Sequence, residues 1–304
     1  MRFSLGFART TALLPLLLAL AGWLLLVVAR IAFIGGAPDA RLAVLPGDHG
    51  ARFVNRIFEE RDAAILGARL LAWIGVVPAR EFPALPALLA EGYDLVDAEV
   101  PQLGTPVPGT YLGLSGEDDF DAYVFEPAGD ARGGVVFLHG FAGNFLLQCW
   151  EVARAARSAG AITVCPSTGA DGAWWEHDGR VIAERSVAYL RERGAERVVL
   201  VGLSNGAAGA SLIANRLDID GLVLLSGTST QAPTPTMPTL VLHGSRDGMM
   251  GTARVRRWAR EQGARVRYLE LEGTHFVLLE QRERVQSALA EFVDARLAPR
   301  AALR

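Results

Sequence analysis

Between Val135 and Leu297, short apolar runs alternate with longer stretches of helical period, and that alternation constrains the fold more than any other feature. The runs are Val135–Leu138, Ile162–Cys165, Val198–Val201, Leu222–Leu225, Thr239–Leu242 and Val266–Leu271. Helices are expected near Leu146–Ala159, Arg180–Arg193, the segment leading to Arg216, Thr252–Gln262 and Gln281–Leu297. Strands that are apolar throughout are buried on both faces, so the pattern predicts an α/β fold, a mostly parallel, doubly wound sheet covered by helices. A hairpin of Thr110–Leu114 with Ala122–Phe125, turning at Gly116-Glu117-Asp118-Asp119, is expected ahead of it.

The run Val198–Val201 continues directly into Gly202-Leu203-Ser204-Asn205-Gly206 and then into small residues suited to a tightly packed helix. This is a strand, a sharp turn and a helix with a serine at the apex, and the flanking glycines keep side chains clear of the neighbouring backbone. The pattern makes Ser204 a candidate nucleophile. In a parallel sheet, reactive groups gather beyond the carboxyl ends of the strands, so its partners should directly follow strands. Asp247 follows Thr239–Leu242 and His275 follows Val266–Leu271. The chemistry needs these types: an imidazole to take the serine proton, and a carboxylate to orient the imidazole and stabilise its charged form. Asp218 and Asp220 precede a strand and belong to the opposite edge.

After Val135–Leu138 comes His139-Gly140-Phe141-Ala142-Gly143-Asn144, a glycine-rich loop ahead of the serine turn. Its spacing fits half of an oxyanion hole, with the backbone N–H groups of Phe141 and Asn205 as donors. Phe145, Trp174, Trp175, Met249, Met250 and Phe276 follow the same strands and are candidates for an apolar substrate pocket, and His177 is a candidate substrate contact. The ordered set His139-Gly140-x-x-Gly143, Gly202-x-Ser204-x-Gly206, Asp247 and His275 resembles the α/β-hydrolase superfamily over residues 105–298. The resemblance implies a serine hydrolase that cleaves a carboxylic ester or thioester through an acyl-enzyme. A peptidase or amidase of the same fold, or a non-catalytic binding module, are the alternatives. Ser204 departs from the aspartate of dehalogenase and epoxide-hydrolase relatives and from the cysteine of dienelactone hydrolases. Between Leu225 and Thr239 there is no room for a helical lid, so the resemblance is to a compact, lidless esterase.

Composition removes other classes. A formal net charge of -3 and no long basic run argue against a nucleic-acid partner. Every basic residue is arginine, which rules out Walker-type phosphate loops, Schiff-base chemistry and Ser-Lys dyads. Scattered histidines and two cysteines, Cys149 and Cys165, lack metal-ligand spacing, so no metal or cofactor is expected. The cysteines are expected as buried free thiols, with a disulfide as the alternative for an exported domain.

The uncharged run from Thr10 to Ala29 has about the 20 residues needed to cross a bilayer, and residues 1–34 are read as a transmembrane anchor or signal helix. The expected arrangement is a membrane-anchored protein with an exported, periplasmic or extracellular catalytic domain, or a secreted one after cleavage at Val27-Val28-Ala29. Its substrate is a small-molecule or lipid-like ester. Residues 35–104 read as a linker followed by an amphipathic helix over Ala51–Val77, packed on the domain or resting on the bilayer, and by an irregular crossing over Phe82–Pro108. Residues 105–298 form the catalytic domain.

Overall fold

The computed structural model describes residues 39–100 and 103–298, together with 15, 18–25 and 28. Its centre is a nine-stranded sheet in the order β2-β1-β3-β5-β4-β6-β7-β8-β9. The strands are β1 (Ala40–Leu45), β2 (His49–Gly50), β3 (Phe120–Phe125), β4 (Gly133–Leu138), β5 (Ala161–Pro166), β6 (Val198–Leu203), β7 (Gly221–Leu225), β8 (Thr239–Gly244) and β9 (Val266–Leu271). From β5 to β9 all neighbours are parallel, and β1, β2 and β3 add an antiparallel edge.

Because side chains alternate across a strand, each strand feeds two cores. Val135 and Phe137 of β4 and Val199 and Val201 of β6 point to one face. There they meet α2 (Leu85–Glu99), α4 (Leu146–Arg157) and α9 (Arg282–Leu297). Val136, Leu138, Val198 and Leu200 point to the other, under α5 (His177–Glu192), α6 (Asn205–Ile213) and α7 (Thr252–Glu261). The remaining helices are α1 (Glu60–Trp73), the short α3 (Val107–Tyr111) and α8 (Val277–Glu280). The doubly wound sheet expected from the alternation is present.

Four local expectations are corrected. Residues 40–45, read as linker, form β1 and pair with β3 along its length from Ala40↔Phe125 to Leu45↔Phe120. The reason is the apolar run Leu42-Ala43-Val44-Leu45, which is buried there. The expected strand Thr110–Leu114 does not form: Thr110 and Tyr111 end α3, and Leu112 and Gly113 make a turn after it, because both edges of β3 are taken by β1 and β5 and Pro108 falls in the first turn of α3. Phe82–Pro108 is not an irregular crossing. Pro86 falls in the first turn of α2, where a missing N–H costs nothing, and Leu85, Leu89, Tyr93 and Val96 form its buried face. Finally, Cys149 on the inner face of α4 lies over Cys165 of β5 with Cα atoms 6.0 Å apart, and the two form a disulfide rather than free thiols.

The expected anchor, Thr10–Ala29, lies for the most part outside the described residues. Among those described, no helix is long and apolar enough to cross a membrane.

Candidate active site

The chain order of the sheet reverses around β4: β5 lies on one side of it and β6 on the other. At such a switch point, the loops leaving adjacent strands diverge and open a crevice beyond the strand ends. Leu138 pairs with Gly202, so the loops leaving β4 and β6 start side by side. Ser204 leads into α6 with φ 56° and ψ -117°, a conformation that side chains rarely adopt and that holds its hydroxyl at the apex of the turn. The glycines make the turn possible. A Cβ on Gly202 would stand 2.4 Å from the Gly206 carbonyl oxygen, and one on Gly206 would stand 2.0 Å from that of Leu138.

His275 lies in the loop after β9 and Asp247 in the loop after β8. The His275 ring is 2.9 Å from Ser204 Oγ through Nε2 and 2.9 Å from Asp247 Oδ2 through Nδ1. Asp247 has a Nδ1–H as its natural partner, which leaves Nε2 free to accept from the serine. Asp247 Oδ1 accepts the backbone N–H groups of Met249 and Met250 at 2.9 and 2.8 Å. Burial alone would raise the Asp247 pKa, but the hydrogen bond from His275 and the N–H of Met250 hold it below the ordinary carboxylate range. His243 is fully buried with Nε2 3.4 Å from Asp247 Oδ2, and neither ring nitrogen makes a hydrogen bond. Burial drives its pKa down to about 4, so this is a neutral ring beside a carboxylate and not an ion pair.

The loop after β4 lies against the serine: a Cβ on Gly140 would be 3.0 Å from Ser204 Cβ. His139 braces it. Its Nδ1 bonds the Gly140 carbonyl at 2.8 Å and its Nε2 accepts the Thr168 N–H at 3.2 Å, while burial lowers its pKa to about 4 and keeps the ring neutral. Phe141 and Ser204 line one cavity of about 120 Å³. Asn205 is the first residue of α6, where a backbone N–H has no partner within the helix, and its side chain donates to the Asp171 carbonyl at 2.8 Å.

Of the expected pocket residues, Phe145, Met249 and Phe276 line this cavity, and Trp174, Trp175, Met250 and His177 do not. Trp174 is fully buried behind the loop, where its indole N–H donates to the His139 carbonyl at 2.8 Å. Trp175 is 43% exposed. His177 begins α5 at the surface with Nε2 3.1 Å from Glu117. With Asp178 these two form a group whose ligand atoms lie within 4.8 Å of one another, all three residues exposed.

Sequence reasoning missed three sets of contributors to the site, five residues in all, from the segment before residue 105. Leu71, Val76 and Val77 form part of the cavity wall. Glu60 of α1, buried, accepts from the hydroxyls of Tyr93, Thr105 and Tyr123 and from the Leu146 N–H, next to the cavity residue Phe145. Glu81 is the third. Its buried carboxylate accepts the Gly248 N–H at 2.8 Å through Oε1 and the His275 N–H at 3.0 Å through Oε2, joining the two loops that carry Asp247 and His275. No spacing signal announces a partner 167 or 194 residues away.

The sheet order, the serine turn at the switch point and the loops after β8 and β9 define an α/β-hydrolase fold. One solved structure agrees at the level of fold, and a second stands beside it as a similarity alone. The Pyrococcus furiosus esterase Pf2001 is similar at TM-scores of 0.53 and 0.50 in two crystal forms, with 14% identity, covering 60% of this chain and 91 and 90% of that one. Est1E from Butyrivibrio proteoclasticus is similar at TM-score 0.49 and 18% identity, over 60% of this chain and 96% of that one. No protein-family model matches the chain, and no curated protein matches it.

Proposed function

We propose that this protein is a serine hydrolase that cleaves a carboxylic ester or thioester through an acyl-enzyme. The observation that carries the reading is one imidazole, that of His275, within 2.9 Å of both a strained serine hydroxyl and a buried carboxylate. His275 Nε2 takes the Ser204 proton as Oγ bonds to the carbonyl carbon. The negative oxygen that results is held by the N–H groups of Phe141 and Asn205, each donor contributing about 3 kcal/mol of transition-state stabilisation. The imidazolium, stabilised by Asp247, returns its proton to the departing oxygen or sulfur as that bond breaks. Water then repeats the sequence on the acyl-enzyme and releases the acid. The esterase named among the similar structures supports the reading at the level of fold.

Phe145, Met249 and Phe276 wall the acyl side. The cavity of about 120 Å³ is small beside the ~300–1,000 Å³ typical of pockets that enclose drug-sized ligands, so it suits a short group. Location belongs to the same proposal: an exported domain, held by residues 10–29 as an uncleaved anchor. The Cys149–Cys165 bond supports export, since disulfides persist in oxidising compartments.

The test is a fluorophosphonate label with a panel of p-nitrophenyl esters and thioesters. Wild type should label and turn over, and Ser204→Ala should do neither. Labelling that survives this substitution removes Ser204 from the mechanism. Intact mass of membrane-fractionated protein distinguishes an anchor from a cleaved signal.

A further inference from the structure

Helix α1 buries Ala64 and Ala68 against the domain and turns large apolar side chains outward. Leu66, Leu70 and Trp73 are 67, 53 and 83% exposed, and Ile74 follows at 54%. Steps of four and three residues place them on one stripe. Scattered apolar residues on a surface are ordinary, but a continuous patch marks an interface. This stripe leads to the mouth of the cavity holding Ser204, since Leu71 and Val76 line that cavity. Across the mouth, Phe141 is 48% and Tyr111 63% exposed, and the Tyr111 hydroxyl donates to the Ala142 carbonyl at 3.3 Å. Both banks are therefore apolar and open. A cavity of about 120 Å³ cannot enclose a long chain, so an apolar arm on a substrate must leave between these banks.

We propose that the α1 stripe docks on a lipid bilayer and that the substrate reaches Ser204 from the lipid phase, as an ester whose long apolar arm remains among the acyl chains. The substrate half of this inference rests on the serine-hydrolase reading. The occupant follows from the chain itself. In the apolar run 10–29, Leu18, Leu20, Trp23, Leu24, Leu25 and Val28 are each at least 54% exposed, so the domain does not cover them. Only residues 30–39 separate that run from β1, a reach of roughly 35–40 Å when fully extended. Two uncovered apolar surfaces tied that closely are served by one apolar phase. Arg69 is on the same exposed face of α1, and its long stem lets the guanidinium reach lipid phosphates while the apolar residues insert.

The test uses the full chain reconstituted in vesicles of phosphatidylcholine and phosphatidylglycerol. Two substrates are compared, a long-chain ester carried in the vesicle and water-soluble p-nitrophenyl acetate, for wild type and for the combined variant Leu66→Ser, Leu70→Ser, Trp73→Ser. The variant should lose about tenfold or more on the vesicle ester and stay within about twofold on the soluble one. In parallel, a nitroxide on the Trp73→Cys variant, where the two native cysteines are paired, should be reached by oxygen and shielded from an aqueous nickel complex. Equal losses on both substrates, no loss on either, or a nickel-accessible nitroxide would overturn the docking. Shielding that appears without vesicles and grows with protein concentration would assign the stripe to a second copy and overturn it as well. If no form hydrolyses either ester, the hydrolase reading fails and the nitroxide still decides the docking.

Discussion

Ser204 combines the proposed nucleophilic role with backbone strain, and the two can be separated. At φ 56° a side chain costs about 1 kcal/mol or more that glycine would not. Ser204→Gly should therefore be more stable than Ser204→Ala by about 1 kcal/mol in thermal unfolding, with both inactive. Glu81 is a positioning residue, outside the cavity lining, so its loss should appear in turnover and not in substrate affinity. Glu81→Ala leaves the N–H groups of Gly248 and His275 without their acceptor, and misplacing the imidazole by even 1 Å costs on the order of 10²-fold. We expect kcat for a p-nitrophenyl ester to fall roughly 10–100-fold with KM within about twofold, and Glu81→Gln, which keeps one acceptor, to recover part of it. A loss explained by the unfolded fraction alone would leave Glu81 merely structural. His139 carries a pH signature. Its pKa falls from 6.5 in the unfolded chain to about 4, so its contribution to stability is complete above pH 6.5 and is lost as pH drops toward 4. The buried carboxyls of Glu60, Glu151 and Asp121, with pKa values raised by burial, act in the opposite direction over the acid range. The histidine part is therefore read as a difference: His139→Gln should flatten the fall in stability between pH 6.5 and 4, measured by urea unfolding.

Among the elements, the turn between β6 and α6 tolerates the least change. A Cβ on Gly206 would meet the carbonyl oxygens of Leu138 and His139 at 2.0 and 2.6 Å, and both belong to backbone that cannot swing aside. Gly206→Ala should cost about 3 kcal/mol or more and abolish activity, because the strand pair β4–β6 that sets the serine against the loop after β4 must separate. Glu60 links elements distant in sequence: α1 through its own backbone, α2 through Tyr93, β3 through Tyr123 and the start of α4 through Leu146. Replacing it with alanine strands several buried donors, each worth about 1–3 kcal/mol when left unpaired. The expected outcome is a shift of the denaturant midpoint with no change in the m-value.

At the scale of the molecule, residues 40–100 and 103–105 are built into the α/β-hydrolase fold. They supply β1 and β2 to the sheet, α1 and α2 to one core, part of the cavity wall, and the Glu60 and Glu81 carboxylates. The Cys149–Cys165 bond closes a loop with a sequence separation of 16, which stabilises by about 3 kcal/mol through the unfolded chain. Reduction should lower Tm by roughly 6–10 °C for a chain of this size. An unchanged Tm after reduction, checked by intact mass, would mean the bond adds nothing.

Much of this was legible beforehand. The order of strands and helices after residue 130, and the gathering of Ser204, Asp247 and His275 at one sheet edge, follow from apolar periodicity and from the rule that strand ends collect reactive groups. Those signals are local, written in neighbouring residues. The misreadings share an opposite cause. Residues 110–114 have strand composition, yet β1 and β5 had already filled both edges of β3; Trp174 follows the right strand, yet its indole turns inward to a carbonyl. The role of Glu81 depends on two loops more than 160 residues away in the chain. Sequence by itself determined the layers, their order and the chemical types at the switch point, because hydrophobic period and turn chemistry act over a few residues. Only the tertiary structure decided which segment walls the cavity, which carboxylates hold its loops and which apolar face stays uncovered, because those are set by contacts between residues that nothing in the chain places side by side.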